Sequence, residues 1–348
     1  MVRYPIARAS IGSFGTFQEI DVKFSPGLNV IVGDNATGKS QLLKLLYSCT
    51  KTVKDARTLT KKDLNSGIAS KLMGVFRPEK LGRLTQRTRG KSSAEVTVKY
   101  ANIRESLKFG FSSHAKREVN IQSVPDRQIV DEPVFLPPNE LLSFASRFLG
   151  LYNTYETGFE ETWKDTTEYL LRPTLRGPRG HQANEVLFPF SNLLQGGTVI
   201  EEDGQFYLKQ PGIGNLEAPL LAEGHRKLAM ILRLIANGVL LGGGYLFWDE
   251  PEANLNPSSQ RAVAHALVQL VNNGTQIFVA THSMFLLREL QMNDSITPRY
   301  IGLKRSEGFD PDHDLAEVAL QVRDDLDDLD FVAALEAESE QSQRYLAW

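Results

Sequence analysis

The stretch "VGDNATGKSQLL", residues 32–43, constrains the fold of this chain more than any other feature. It fits the pattern G-x-x-x-x-G-K-S from Gly33 to Ser40, which is typical of a phosphate-binding loop. The preceding run "GLNVIV" is β-branched and follows turn residues, so it predicts a buried strand. The residues that follow have a helical apolar spacing at Leu42, Leu43, Leu46 and Tyr47. We therefore expect a strand, a glycine-rich loop and a helix in an α/β protein.

This context gives the loop residues chemical roles. Gly33 and Gly38 let the backbone turn tightly, and the helix N-terminus directs N–H groups and a positive dipole end at phosphate oxygens. Lys39 would reach the β- and γ-phosphates, and Ser40 would coordinate Mg²⁺. The alternative is a glycine-rich turn that matches by chance. The predicted nucleotide-binding residues are Gly33, Asp34, Asn35, Ala36, Thr37, Gly38, Lys39, Ser40 and Gln41.

A second candidate strand ends in two acidic residues. In "GGGYLFWDEPEANLNP", residues 242–257, the apolar run ends at Asp249 and Glu250. Asp249 would hold the metal with Ser40, and Glu250 could polarise an attacking water. Further along, "TQIFVATHS" predicts a buried strand that ends beside His282, which could contact the γ-phosphate. Taken alone, these two segments would be an acidic turn and an ordinary polar loop residue.

Composition limits the class of protein. The 348 residues contain one cysteine, so no disulfide can form within the chain, and no apolar run reaches the length of a membrane span. We expect a cytoplasmic protein with no membrane partner. The charge is uneven: residues 51–130 contain 18 Lys and Arg against 7 Asp and Glu, whereas residues 305–348 contain 3 against 13. Such asymmetry favours an anionic partner for the basic segment.

Taken in order, these motifs resemble those of ABC-type ATPases of the RecF/Rad50/OLD-like group. "GDNATGKS" matches Walker A, "YLFWDE" Walker B, "EANLNP" the D-loop and "ATHS" the switch histidine. "LLAEGHRKLAMILRLIANG", residues 220–238, fits the signature helix, and residues 4–30 resemble the opening strands of RecF-like proteins. The details are most similar to small stand-alone AAA15- and AAA21-type ATPases of bacteria. The resemblance implies ATP and Mg²⁺ as cofactors, with Glu250, His282 and Lys39 as catalytic residues.

The resemblance also implies a homodimer on ATP, packed head to tail, because the chain has one copy of each motif. Gly224 would contact the partner's ATP, as would Asn256 of the D-loop. Ala222 stands where the family has a serine, and Glu223 takes the first glycine position, so hydrolysis could be slow. Arg226 or Lys227 could supply compensating charge. A monomeric ATPase is the alternative, and Glu140 in "PVFLPPNELL" is a candidate for the Q-loop.

The implied fold is a P-loop ABC-type ATPase core with an N-terminal antiparallel β subdomain and an α+β lid insertion. We place the core at residues 1–50 and 184–304, the insertion at 51–183, and an acidic helical tail at 305–348. In the insertion, "AEVTVKY" and "RESLKFGF" alternate and predict an antiparallel hairpin. Residues 141–173 predict helices. No heptad pattern of coiled-coil length is present.

Basic residues of the insertion could meet DNA or RNA phosphates, although a solvated face is the usual meaning of such a charge run. The cluster comprises Arg83, Arg87, Arg89 and Lys91. The aspartates of the tail crowd one predicted element, and the tail is too short for a nuclease domain, so a partner-docking tail is the better interpretation.

We therefore expect an ATPase that controls a separate effector, a nuclease or toxin, in phage defence. This assignment rests on resemblance alone. The alternatives are a RecF-like DNA repair or chromosome clamp and a transporter energy subunit. The basic insertion and the missing signature serine count against the transporter.

Overall fold

The computed structural model describes residues 1–86, 91–155, 157–188, 190, 194–305, 317–330, 341, 343–346 and 348. Strands and helices alternate along much of this part of the chain. The strands are β1 (Ile6–Phe14), β2 (Phe17–Lys23), β3 (Leu28–Gly33), β4 (Ser93–Tyr100), β5 (Leu107–Ser112), β6 (Asn120–Ser123), β7 (Pro133–Leu136), β8 (Thr198–Glu202), β9 (Gln205–Gln210), β10 (Gly214–Glu217), β11 (Gly244–Asp249), β12 (Thr275–Thr281), β13 (Arg299–Arg305) and β14 (Val318–Arg323). The helices are α1 (Lys39–Asp55), α2 (Lys61–Phe76), α3 (Ala145–Thr154), α4 (Glu161–Leu171), α5 (Gly177–Leu187), α6 (Glu223–Ala236), α7 (Pro257–Asn272) and α8 (Met284–Gln291).

The central sheet has six strands in the order β14-β13-β3-β12-β11-β7. All neighbours are parallel except β13 and β14. The inner strands read as continuous apolar runs because both of their faces are covered. On β11, Leu246 and Trp248 face one hydrophobic core, while Tyr245 and Phe247 face the other. Because β3, β12 and β11 are parallel, their carboxyl ends meet at one edge of the sheet.

A second sheet packs over α1. It is antiparallel in the order β2-β1-β4-β5-β6. Its apolar residues and those of α1 share one core with the central sheet, so α1 lies between the two sheets. Helices α6, α7 and α8 contribute to the core on the opposite face. A small sheet, β10-β9-β8, joins that layer. These features confirm the predicted fold class.

Strand pairing connects the predicted insertion to the predicted core. Strands β4, β5 and β6 lie inside the proposed insertion at 51–183, yet β4 pairs with β1. Strand β7 also lies inside it and pairs with β11 at the edge of the central sheet. The hairpin is confirmed as β4 and β5, and the helices as α3 and α4. The segment 51–183 therefore contributes strands to both of these sheets.

The acidic segment 305–348 contains a strand. Residues 318–323 form β14, which pairs antiparallel with β13. The physical reason is an alternating pattern: Val318, Leu320 and Val322 pack against the core that lies between the two sheets. Residues 306–316 and 331–340 lie outside the described part of the chain. Within the described ranges, no helix is long and apolar enough to cross a membrane.

Candidate active site

The loop after β3 adopts the conformation that its glycines permit. Gly38 has φ +100°, and a Cβ atom there would lie 2.4 Å from Thr16 Oγ1 and 2.6 Å from the Phe17 ring. At Gly33, φ is +156° and a Cβ would lie 2.3 Å from the carbonyl oxygen of Leu303. The β1–β2 turn and β13 thus pack directly on the loop. The pattern requires glycine at both positions because side chains would collide with neighbouring strands.

Lys39 folds back across the loop. Its Nζ donates to the carbonyl oxygens of Gly33 at 2.7 Å and Asp34 at 2.8 Å, and the residue is only 6% exposed. Burial lowers the pKa of the ammonium group, against the opposing effect of nearby carboxylates, first among them Glu250 and Asp249. A buried cation that holds only carbonyl oxygens can exchange them for phosphate oxygens, which carry more charge.

Ser40 and Asp249 meet at the sheet edge. The Ser40 Oγ donates to Asp249 Oδ1 at 2.9 Å, although the residues are 209 positions apart. Burial raises the pKa of Asp249 to about 6, and the bond from Ser40 partly offsets this effect. Magnesium is usually held by one or two protein oxygens together with substrate phosphates. One hydroxyl and one buried carboxylate fit that demand, and the described residues contain no cluster of three His, Cys, Asp or Glu that could hold a metal without a substrate.

The remaining loop residues divide into two groups. Asp34, Asn35 and Ala36 are exposed to solvent. Thr37 is buried, and its hydroxyl donates to the Asp34 carbonyl at 2.9 Å. Gln41 is engaged within the chain, because its Oε1 accepts from the Thr16 N–H at 3.0 Å. This contact joins α1 to the β1–β2 turn.

Glu250 and His282 stand on adjacent strand ends. Glu250 has φ +46°, and its N–H donates to the Ala280 carbonyl at 2.9 Å, so β12 fixes the residue that follows β11. The His282 Nδ1 lies 3.9 Å from Glu250 Oε1, and the imidazole side chain is 55% exposed. The structure thus brings the proposed water-activating carboxylate and the proposed γ-phosphate contact to the same edge as Lys39, Ser40 and Asp249.

Sequence reasoning missed Glu252. Its side chain is 5% exposed, and Oε1 accepts from the Thr281 hydroxyl at 2.7 Å and the His282 N–H at 3.0 Å. The run "DEPE" contains this residue, but only the first two acidic positions had an evident task. Its partners come about thirty residues later, so no local spacing marks it.

The signature region has different contacts from those predicted. Lys227 is fully buried and its Nζ donates to the carbonyls of Ala253 at 2.7 Å and Pro251 at 3.4 Å, so it cannot compensate charge on a partner's phosphate. Arg226 lies 3.4 Å from Glu140, the Q-loop candidate, which ties that residue to α6. Both cations are therefore engaged within this chain, Lys227 by the turn after β11 and Arg226 by Glu140.

Two residues proposed to act on the partner's nucleotide have roles within this chain. Gly224 is buried, and a Cβ there would lie 2.8 Å from Ser259 Oγ. The Asn256 side chain caps α7 by accepting from the Ser259 N–H at 2.9 Å. Ala222 is exposed at the N-cap of α6 and makes no side-chain capping bond. The exposed start of α6 is therefore the part of the signature that another molecule can reach.

The basic cluster is only partly described. Arg83 is exposed and lies 3.4 Å from Glu79, while Lys91 is exposed in the segment that leads to β4. Arg87 and Arg89 lie outside the described residues. Nucleic-acid binding by this cluster stays a prediction.

Comparison with known proteins places this geometry in a family. A family model described as "AAA domain, putative AbiEii toxin, Type IV TA system" matches residues 28–288. The DNA replication and repair protein RecF of Halalkalibacterium halodurans is 37% identical over 59 residues, which cover 17% of this chain and 16% of that protein. RecF of Streptococcus uberis is 39% identical over 59 residues, with the same coverage. The chain thus spans only about a sixth of the length of these relatives.

Solved structures match over a longer range. The Smc head domain of Pyrococcus furiosus, bound to the C-terminal domain of ScpA, is 13% identical and superposes with a TM-score of 0.55 over 91% of this chain and 96% of that one. An SmcHead bound to the C-winged helix domain of ScpA gives a TM-score of 0.54 at 13% identity, over 91% and 97% of the chains. These likenesses show the fold. Since the family model matches residues 28–288, most of the sequence, the chain belongs to the AAA_21 family of ABC-type ATPases.

Proposed function

We propose that the protein binds Mg-ATP at the loop after β3 and hydrolyses it. The observation that carries this proposal is the 2.9 Å contact between Ser40 Oγ and Asp249 Oδ1 beside the buried ammonium of Lys39. Lys39 would bind the β- and γ-phosphates in place of its present carbonyl partners. Backbone N–H groups of residues 36–40 would bind phosphate oxygens at the N-terminus of α1.

The cation would be held by Ser40 and Asp249, and would neutralise charge on the phosphates. Glu250 is the proposed general base. It is held by the bond from its own N–H to β12, while its side chain is 35% exposed and open to an incoming water. His282 is the proposed γ-phosphate contact. The arrangement supplies positioning and charge, which are the main demands of phosphoryl transfer.

Hydrolysis is proposed to occur between two copies packed head to tail. Each chain has one phosphate loop and one signature helix, so the exposed N-terminus of α6 in one copy would cap the nucleotide of the other. Because Ala222 offers no hydroxyl there, the cap depends on backbone N–H groups and the helix dipole. Slow turnover is the expected consequence.

We further propose that ATP-dependent dimerisation controls a separate effector, a nuclease or toxin, in anti-phage defence. The support is the description of the matching family, which names a toxin of a toxin–antitoxin system. A RecF-like clamp on DNA is the second candidate, supported by the 59-residue match to DNA replication and repair proteins and by the basic segment 51–130.

Phosphate release and ATP binding, measured on the same preparations, test the enzymatic part. Wild-type protein should release phosphate with Mg-ATP, and Glu250→Gln should bind ATP with an affinity within about threefold of wild type but lose turnover. Since general-base catalysis contributes roughly 10²–10⁴-fold, the loss should reach at least a hundredfold. Equal turnover in both proteins would remove Glu250 as the base, and absence of ATP binding in both would refute the proposed site.

A further inference from the structure

A carboxylate that the proposed reaction does not use is buried behind the site. The Glu252 side chain is 5% exposed, and its Oε2 atom has no hydrogen-bond partner among the described residues. Burial of a carboxylate is costly unless the charge is paired and its oxygens accept hydrogen bonds. Among the described residues, its side-chain hydrogen bonds are made by Oε1, and they converge on one short segment, Thr281–His282.

Glu252 Oε1 lies close to two nitrogen atoms of His282. The backbone N–H of His282 donates to Glu252 Oε1 at 3.0 Å, and the ring Nδ1 lies 3.4 Å from the same oxygen. In contrast, Glu250 Oε1 is 3.9 Å from Nδ1. The partner of one ring nitrogen decides which nitrogen carries the proton and how the ring is oriented. With Nδ1 turned toward Glu252, Nε2 is the nitrogen left for a ligand.

The segment that carries Glu252 is itself held firmly. Lys227 of α6 donates to the carbonyl oxygens of Ala253 and Pro251, one on each side of Glu252. The Ala253 N–H donates to the Glu250 carbonyl at 3.0 Å, and the Leu255 N–H to the Glu252 carbonyl at 2.9 Å. A carboxylate on a turn held in this way can keep the half-exposed ring of His282 in one orientation.

We propose that Glu252 is a positioning residue for His282: its Oε1 fixes the imidazole with Nδ1 protonated and leaves Nε2 toward the nucleotide. The task given to His282 rests on the proposed function, but the orientation of its ring does not. Glu252 touches no reacting atom, so its effect passes through the histidine. The competing role is purely structural, in which Glu252 only stabilises the turn between β11 and α7.

Two variants separate these roles. Glu252→Gln keeps an oxygen that can accept from Thr281, from the His282 N–H and from Nδ1, so it should retain kcat within about threefold. Glu252→Ala removes the acceptor and should lower kcat by about 10- to 100-fold, the range for groups that orient a functional histidine, with KM for ATP changed less than about threefold. The proposal would be overturned if both variants lost kcat equally, or if Glu252→Ala changed only the KM for ATP and left kcat unchanged.

Nitrogen-15 NMR of the histidine rings gives a readout that does not need ATP hydrolysis. The chain has six histidines, and His282→Ala identifies the signal of His282. Wild type and Glu252→Gln should show His282 protonated at Nδ1, whereas Glu252→Ala should shift toward the Nε2–H form that an unpartnered imidazole prefers. Wild-type His282 with an unprotonated Nδ1 would overturn the proposal even if Glu252→Ala does not fold. If wild type shows the expected ring but no ATP turnover, the proposed function fails and the positioning contact stands.

Discussion

Ser40 Oγ donates to Asp249 Oδ1 at 2.9 Å, which joins the first turn of α1 to the end of β11. Two strands that are not neighbours, β3 and β11, are brought to this contact by β12, which lies between them. The pair shares the sheet edge with Lys39 and Glu250. This hydroxyl, this buried carboxylate and the ammonium group form the proposed site for a divalent cation and a phosphate chain.

Loss of the Lys39 charge should weaken ATP binding. Hydrogen bonds to charged groups contribute about 1.5–3 kcal/mol each, so Lys39→Ala should reduce ATP affinity by at least about tenfold in isothermal titration calorimetry. Lys51→Ala is a matched control on the same helix, because its ammonium pairs with Asp55 instead of the loop. Equal affinities for Lys39→Ala and wild type would mean that the loop does not bind phosphate.

Asp249 should make stability depend on pH. Its pKa is raised to about 6 by burial, so the protonated form favours the folded state and this contribution is present below about pH 4. It is lost as pH rises through 6, and at pH 8 the buried charge costs about 3 kcal/mol. Asp249→Asn should therefore raise the free energy of unfolding at pH 8 by roughly 1–3 kcal/mol, with little gain at pH 4.

Urea denaturation at both pH values, without nucleotide, measures this effect. Asp55→Asn is the control, because Asp55 is exposed at the end of α1 and its replacement should change the free energy of unfolding only slightly. In the presence of magnesium, Asp249→Asn should also bind ATP more weakly than wild type does. A variant that is destabilised equally at pH 4 and pH 8 would contradict the assigned cost of the buried charge.

Substitutions at position 222 should either strengthen or weaken ATP-dependent dimerisation. Ala222 is an exposed N-cap, where serine and aspartate each stabilise a helix by about 0.5–2 kcal/mol, so both substitutions should raise the melting temperature. Ala222→Ser adds a hydroxyl toward the partner's phosphate and should strengthen ATP-dependent dimerisation. Ala222→Asp adds a negative charge and should weaken it. Sedimentation of both variants with Mg-ATP measures the difference, and equal dimerisation would place the interface elsewhere.

Nucleic-acid binding by the basic cluster would be steeply dependent on salt. The logarithm of the affinity should fall with the logarithm of salt concentration by about 0.9 per duplex phosphate neutralised. Replacing Arg83, Arg87 and Arg89 with glutamine should reduce this slope. As a control, exposed basic residues outside the cluster should be replaced in the same way, and the slope should not change. These residues are Arg176, Arg179 and Lys209. Binding that does not change with salt, or no binding at low salt, would favour a protein partner.

The loop after β3 and the strand ending at Asp249 were predictable because their signals are local: a glycine pattern, an apolar run and a helical spacing. The partners of Glu252 and Lys227 were not, since Thr281 and the 251–253 turn approach them only after the sheet and α6 have packed. The pairing of β1 with β4 was not predictable for the same reason. Ser10 of β1 pairs with Thr97 of β4, and the residue pattern of one strand does not identify the strand with which it pairs.

The mass of Glu250→Gln in the presence of Mg-ATP tests the central claim most directly. The variant keeps Ser40, Asp249 and Lys39, so it should bind ATP without consuming it, and light scattering should then report twice the monomer mass. The dimer should dissociate when nucleotide is removed and should be weakened by Ala222→Asp in the same chain. A monomer at saturating Mg-ATP, or a dimer that persists without nucleotide and tolerates Ala222→Asp, would contradict the account.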